Sequence, residues 1–192
     1  VYLLDDSSHA ESKQQVDEFA SRYPGLVKVI RRSNRHAYKA GNLNNALSQL
    51  NEKYFAIADA DEILPTDFLS KTVAVIDADH TCDVVQANPR ASPNAKTRLA
   101  RSLGVGIDIH WEWYQPLRNE YGFVMFLGHG ALLRTHCWKE IGGFPEIVSE
   151  DLGFAIRARE LGYRGFFLED VVCFEDFPET VRAFRVRHMK WT

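Results

Sequence analysis

The spacing of apolar residues predicts an α/β protein, a mostly parallel sheet with helices on both faces. Three observations carry that expectation. Short apolar runs alternate with stretches whose apolar residues recur every three or four positions, the periods of strand and helix. Strands alternating with helices are joined by right-handed crossovers, which lay helices over both faces of a parallel sheet. A chain of 192 residues, 45% hydrophobic and 26% charged, suits one ordinary globular domain. That domain is expected to span 1–192 and to be truncated at both ends. Val1-Tyr2-Leu3-Leu4 already reads as a strand interior, and Lys190-Trp191-Thr192 carry no helix stop signal.

Taken in order, Val1–Leu4 is a strand opening into the polar Asp5-Asp6-Ser7-Ser8. Ser8 and Glu11 have capping-box spacing, and Val16, Phe19, Ala20 and Tyr23 follow at helical intervals until Pro24-Gly25. Val27–Ile30 is the next strand, and Ala40–Leu50 a helix with Leu43, Ala46, Leu47 and Leu50 on one face. Tyr54–Ala58 is a third strand, ending in Asp59-Ala60-Asp61. Thr66 stands where it would cap a helix carrying Leu69, Val73 and Ile76, and Val84–Ala87 makes a further strand. From Asn88 to Phe126 the chain is rich in aromatics, among them Trp111, Trp113, Tyr114, Tyr121 and Phe123, and shows no clear period. Ala131–Leu133 resumes a strand, Asp151–Leu161 is a helix closed by Gly162, Arg164–Leu168 and Val171–Phe174 are extended, and Val181–Trp191 is a basic helix.

Composition narrows the function classes. A net charge of -3 gives no general attraction to nucleic acid or to an anionic membrane, so phosphate binding must rest on a local basic cluster, and no nucleic-acid partner is expected. Cys82, Cys137 and Cys173 are odd in number and far apart, the pattern of buried structural thiols rather than of disulfides or a zinc site. The longest apolar stretch, Phe123–Leu133, is interrupted by Gly128, His129 and Gly130, so the fragment itself is expected to be soluble. Neither a P-loop nor a dinucleotide fingerprint is present.

Parallel sheets take ligands at the carboxyl ends of their strands, where Asp5-Asp6 and Asp59-Ala60-Asp61 fall. In extended chain Asp59 and Asp61 point the same way and can share one hard divalent cation, Mg2+ or Mn2+, whose remaining oxygens come from water and a substrate diphosphate. A polar turn is the plain alternative. Asp5 and Asp6 can accept hydrogen bonds from a uracil N–H or a ribose hydroxyl, or simply form a turn. Lys39 stands just before a helix start, with Gly41 permitting close backbone approach to a ligand.

Glu150 and Asp151 lie at a helix start, where the macrodipole favours an ionised carboxylate. A sugar hydroxyl attacking an anomeric carbon must lose its proton, which makes Asp151 the candidate general base. Which of the two faces the site is not readable from sequence. Arg182, Arg185, Arg187, His188 and Lys190, with Trp191, combine phosphate-binding cations with a ring face suited to a sugar, or else form a solvated basic helix with one aromatic anchor.

In order along the chain, Asp5-Asp6, the K-A-G-N-L-N of Lys39–Asn44, Asp59-Ala60-Asp61, Gly128–Arg134, the I-G-G-F of Ile141–Phe144, Ser149-Glu150-Asp151 and Arg187–Trp191 form one series. The series resembles the motifs of family 2 glycosyltransferases, in particular the cellulose, chitin and hyaluronan synthase branch. The resemblance spans nearly the whole chain and implies a GT-A fold with inversion at the anomeric carbon. It implies donor and nucleotide contacts from Asp5, Asp6, Lys39, Asp59, Arg187 and Lys190, and a metal on Asp59 and Asp61. It further implies acceptor contacts from Gly128, His129, Gly130, Glu150 and Trp191, with Asp151 as the base. Where that branch reads Q-x-x-R-W, this chain has Arg187 and Lys190, and lysine lacks the planar fork of arginine.

The expected activity is therefore metal-dependent, inverting transfer of a hexose from UDP-glucose or UDP-N-acetylglucosamine to a growing β-linked glycan. The parent protein is expected at the cytoplasmic face of the plasma (inner) membrane, held there by flanking segments. The alternative is a non-catalytic sugar-nucleotide-binding or assembly module of the same fold.

Overall fold

Residues 1–189 are described by the computed structural model, and among them the chain forms seven strands and eight α-helices. Strands β1 (Tyr2–Leu4) and β2 (Lys28–Ile30) pair in parallel, joined through helix α1 (Ala10–Ser21). A second sheet is ordered β3 (Tyr54–Ile57), β6 (Ala131–Arg134), β5 (Cys82–Ala91), β7 (Arg164–Glu175), β4 (Glu62–Ile63). Within it β5 and β7 are parallel, while β6 and β4 oppose their neighbours. The α/β class is as expected, but this sheet is mixed rather than mostly parallel. The cause is β6, which enters between β3 and β5 against their direction. Its Ala131, Leu132 and Leu133 are buried, and a fully buried apolar run reads alike in either direction.

Alternation along β6 serves both faces of the sheet. Leu133 packs with Leu43 and Leu47 of α2 (Tyr38–Leu47), Trp138 of α6 (Thr135–Ile141) and Phe154 of α7 (Glu150–Glu160). Leu132 packs the other way, against Ile76 of α3 (Phe68–Ala78), Cys82 and Val85. Three rings, Phe126, Phe144 and Phe154, tighten the first core, with Phe144 and Phe154 centroids 4.8 Å apart. The three cysteines are buried free thiols, as expected, and burial pushes Cys82 up to about 11 and Cys173 up to about 12.

Several local expectations change. Helix α1 begins at Ala10 with His9 at its N-cap, so Glu11 falls one position short of where it would reach back to Ser8, and no capping box forms. Helix α3 begins after Asp67, which leaves Thr66 outside. Helix α2 begins at Tyr38, so Lys39 lies within its first turn, and Leu50 lies beyond its end.

The aromatic-rich stretch is one helical layer: α4 (Arg98–Ile109), a π-helical turn (His110–Tyr114) and α5 (Gln115–Tyr121). An extra residue in the π turn shifts the apolar stripe, which is why no single period fits it. The two extended segments after Gly162 are the single strand β7, and α8 (Val181–His188) is capped by Thr180.

Candidate active site

The Asp59-Ala60-Asp61 segment is a turn between β3 and β4, not an extended continuation of β3. The alternation argument for two same-facing carboxylates therefore does not describe it. Turn geometry holds it instead: Glu62 N–H donates to Asp59 O at 3.0 Å, and Asp59 N–H donates to the Glu62 carboxylate at 3.3 Å. The Asp59 side chain is 40% exposed, and one oxygen accepts from Lys39 Nζ at 2.5 Å. Asp61 is exposed. Among the described residues no group of three or more His, Cys, Asp or Glu is arranged to hold a metal. Two accessible carboxylates nevertheless suit a hard cation that keeps several positions for water and phosphate oxygens.

Across from this turn lies the segment Gly128-His129-Gly130, with φ of +89° at Gly128 and +59° at Gly130. A Cβ on Gly128 would stand 3.4 Å from Asp151 Oδ2 and 3.5 Å from Lys39 Nζ, so the carboxylate and the ammonium converge on this one glycine. The other Asp151 oxygen accepts from Leu152 N–H at 2.8 Å. Asp151 is thus the member of the acidic pair whose carboxylate borders Gly128. Its neighbour Glu150 is held above the usual carboxylate value, chiefly by burial, with the Asp151 and Asp59 charges adding and Lys39 opposing. These opposing charges bring α2, the Asp59 turn and the start of α7 to one place.

Sequence reasoning missed Glu62 and Glu175. The Glu62 side chain is fully buried and accepts from His129 Nδ1 at 3.0 Å and Gly130 N–H at 3.1 Å. Burial works against an imidazolium, but the Glu62 bond and charge, with Glu175 and Asp59, lift His129 above its ordinary value. Glu175 pairs across the ladder with Glu62 and is likewise held above the usual carboxylate value by burial, with Asp61 adding and His129 and Arg187 opposing. The only signal in the sequence was a third acidic residue beside Asp61, and its burial depends on pairing between β4 and β7.

Asp5 and Asp6 sit at the end of β1, each on an arginine. Asp5 accepts from Arg31 Nε at 2.7 Å and Ser7 N–H at 2.9 Å. Burial works to raise the Asp5 carboxyl, yet those hydrogen bonds outweigh it and hold it below the usual range. Asp6 takes Arg32 through both oxygens, at 2.9 and 2.6 Å, and Arg32 also donates to the carbonyls of His36 and Tyr38.

The space at Gly41, read from sequence as room for a ligand, is filled by the chain itself. A Cβ there would lie 2.2 Å from His36 O. The adjoining N-L-N binds the I-G-G-F segment, because Asn44 accepts from Phe144 N–H and donates to Phe144 O, both at 2.8 Å. At the far end Arg187 reaches Glu175 at 3.4 Å and lies over the Phe177 ring. Lys190 and Trp191 fall outside the described residues.

The chain as a whole is similar to known proteins. The family described as glycosyl transferase family group 2 matches residues 54–192. Glucomannan 4-beta-mannosyltransferase 2 of Arabidopsis thaliana is 30% identical over 200 residues, covering all of this chain and 38% of that protein. Glucomannan 4-beta-mannosyltransferase 9 of the same plant is 28% identical with the same coverage, so the chain spans well under half the length of the curated relatives it matches. Among solved structures, the mannosyltransferase PcManGT from Pyrobaculum calidifontis, in complex with GDP-Man and Mn2+, superposes with a TM-score of 0.74 at 26% identity, over 98% of this chain and 51% of that one. S. aureus TarS 1-349 in complex with UDP-GlcNAc shares the fold at 20% identity and a TM-score of 0.66, over 96% of this chain and 51% of that one. The fold is the GT-A fold of these glycosyltransferases.

Proposed function

Because the chain belongs to glycosyl transferase family group 2, we propose that it is the catalytic part of an inverting hexosyltransferase that moves a sugar from a nucleotide-diphosphate donor to a hydroxyl of a β-linked glycan. The observation that carries this reading is the convergence of Asp151 and Lys39 on Gly128, with Asp59 held by Lys39: a base and a diphosphate-binding pair separated by a residue with no side chain. Asp59 and Asp61 would hold the divalent cation, which when bound offsets the charge of the departing diphosphate. Lys39, now on Asp59, adds a positive charge beside that position. The Asp151 carboxylate takes the proton of the acceptor hydroxyl as it attacks the anomeric carbon. Gly128, His129 and Gly130 line the acceptor side. Arg187 serves the donor, with Lys190 and Trp191 in the same roles that the motif resemblance gives them.

GDP-mannose is the first donor to test, since the glucomannan mannosyltransferase, at 30% identity, and the GDP-Man complex, at 26%, resemble this chain more in sequence than the UDP-GlcNAc complex does, at 20%. UDP-glucose and UDP-N-acetylglucosamine follow from the motif resemblance. On this reading flanking segments hold the parent protein at the cytoplasmic face of a membrane. Among the described residues no helix is long and apolar enough to cross one.

The test uses the full-length protein, these three donors, and Mn2+ or Mg2+. Asp151→Asn is expected to lower transfer by roughly 100- to 10,000-fold while nucleotide binding by calorimetry stays within about twofold. Unchanged turnover removes Asp151 as the base. Metal-dependent nucleotide binding without turnover by the wild type supports the assembly-module alternative.

A further inference from the structure

Glu62 has no role in the chemistry just described, yet it joins both halves of the site. Its carboxylate is fully buried and both oxygens are engaged. Oε2 accepts from Asp59 N–H and Gly130 N–H, and Oε1 accepts from His129 Nδ1. Glu62 N–H also returns a bond to Asp59 O, which closes a ring that fixes the turn carrying Asp59 and Asp61. The fit at Gly130 is close: a Cβ there would meet Glu62 Oε1 at 2.6 Å, so the loop lies directly on the carboxylate. Gln86, also buried, supports the same loop from beneath, donating to the carbonyls of His129 and Gly130 at 3.0 and 3.1 Å and accepting from Leu127 N–H. A buried carboxyl group is tolerated in such a place because its oxygens are hydrogen-bonded and it faces an imidazole.

We propose that Glu62 is a positioning residue that clamps the Gly128–Gly130 loop to the Asp59 turn, and so fixes where the acceptor hydroxyl stands relative to the donor's anomeric carbon. This rests on the hexosyltransferase reading above. With the clamp in place the attacking hydroxyl, rather than water, occupies the space beside Asp151. Without it donor and base remain but the acceptor loop drifts, and water competes for the same carbon. Either way one C–O bond forms at the anomeric carbon, the bond to the diphosphate breaks, and the nucleophile's proton goes to Asp151.

The experiment compares wild type, Glu62→Ala and Glu62→Gln in the full-length protein, measuring transfer to glycan and donor hydrolysis side by side. Misplacing a reacting group by about an ångström lowers rates by roughly 100-fold, so in Glu62→Ala the ratio of transfer to hydrolysis is expected to fall by that order. Global loosening of the fold would lower both rates together, and a constant ratio overturns the proposal. Glu62→Gln is expected to recover most of the ratio. Its amide oxygen can accept from Asp59 and Gly130, while its NH2 donates to His129 Nδ1 in the other tautomer.

Hydrogen exchange supplies a reading that needs no turnover. In Glu62→Ala the amides of Asp59 and Gly130 are expected to exchange about tenfold faster together, with β5 unchanged. Acceleration of only one, or of neither, overturns the clamp. A wild type that transfers no sugar from any donor sinks the hexosyltransferase reading, while the exchange result still judges the clamp.

Discussion

Two acidic pairs follow strands in this fold, and the structure treats them oppositely. Asp5 and Asp6 are closed: each carboxylate lies on an arginine, and Arg32, only 8% exposed, uses its remaining N–H groups to hold the carbonyls of His36 and Tyr38. Asp59 and Asp61 are open, with a single lysine on Asp59 and Asp61 at the surface. Like residues at like places in the topology thus divide into one pair that shapes a loop and one pair that can accept a cation. Satisfaction by neighbouring donors, which only the fold reveals, makes the difference.

That contrast breaks most visibly on activity. Asp59→Asn removes one of two candidate metal carboxylates, and transfer is expected to fall by roughly 100- to 1,000-fold with little change in the melting point. Asp6→Ala is expected to behave in reverse. It strands the Arg32 guanidinium in a largely buried position, which destabilises the fold by about 2–3 kcal/mol, somewhat below the loss for a fully buried pair. The readouts are turnover against metal concentration and urea unfolding of both variants. If Asp6→Ala abolishes metal-dependent nucleotide binding in a protein that still folds, the closed pair is a ligand after all.

Much of this architecture was legible beforehand. Every strand expected from an apolar run is present, and Lys39 and Asp151, far apart in sequence, border the same glycine, Gly128, with Asp59 on Lys39. What escaped was whatever depended on distant pairing or on a break in period. Helix α6 was missed although Cys137, Trp138 and Ile141 lie on one face and Gly142, at φ +84°, closes it, because a seven-residue helix gives too few repeats to detect. Glu62 was missed because its burial requires β7, more than a hundred residues on. Gly41 was read as open to a ligand when its own loop, folded back by Arg32, fills the space.

The smallest expected effect is also the sharpest test of closed against open, because the two regions should titrate with opposite signs. Asp5 is held below its ordinary value of 3.8, so it contributes stability above that pH and loses it as pH falls through its folded value. Glu150 is held above its ordinary 4.5, so it is neutral on both sides of folding at low pH and becomes destabilising as pH rises from there toward its folded value. Urea unfolding across this range should therefore show Asp5→Asn less stable than wild type near neutrality, with the gap closing in acid. Glu150→Gln should be slightly more stable than wild type near neutrality, and its gap should close as pH falls toward 4.5. The two differences carry opposite signs at neutral pH. If both variants lose stability there, Glu150 is as firmly satisfied as Asp5, and the start of α7 is built like the closed pair.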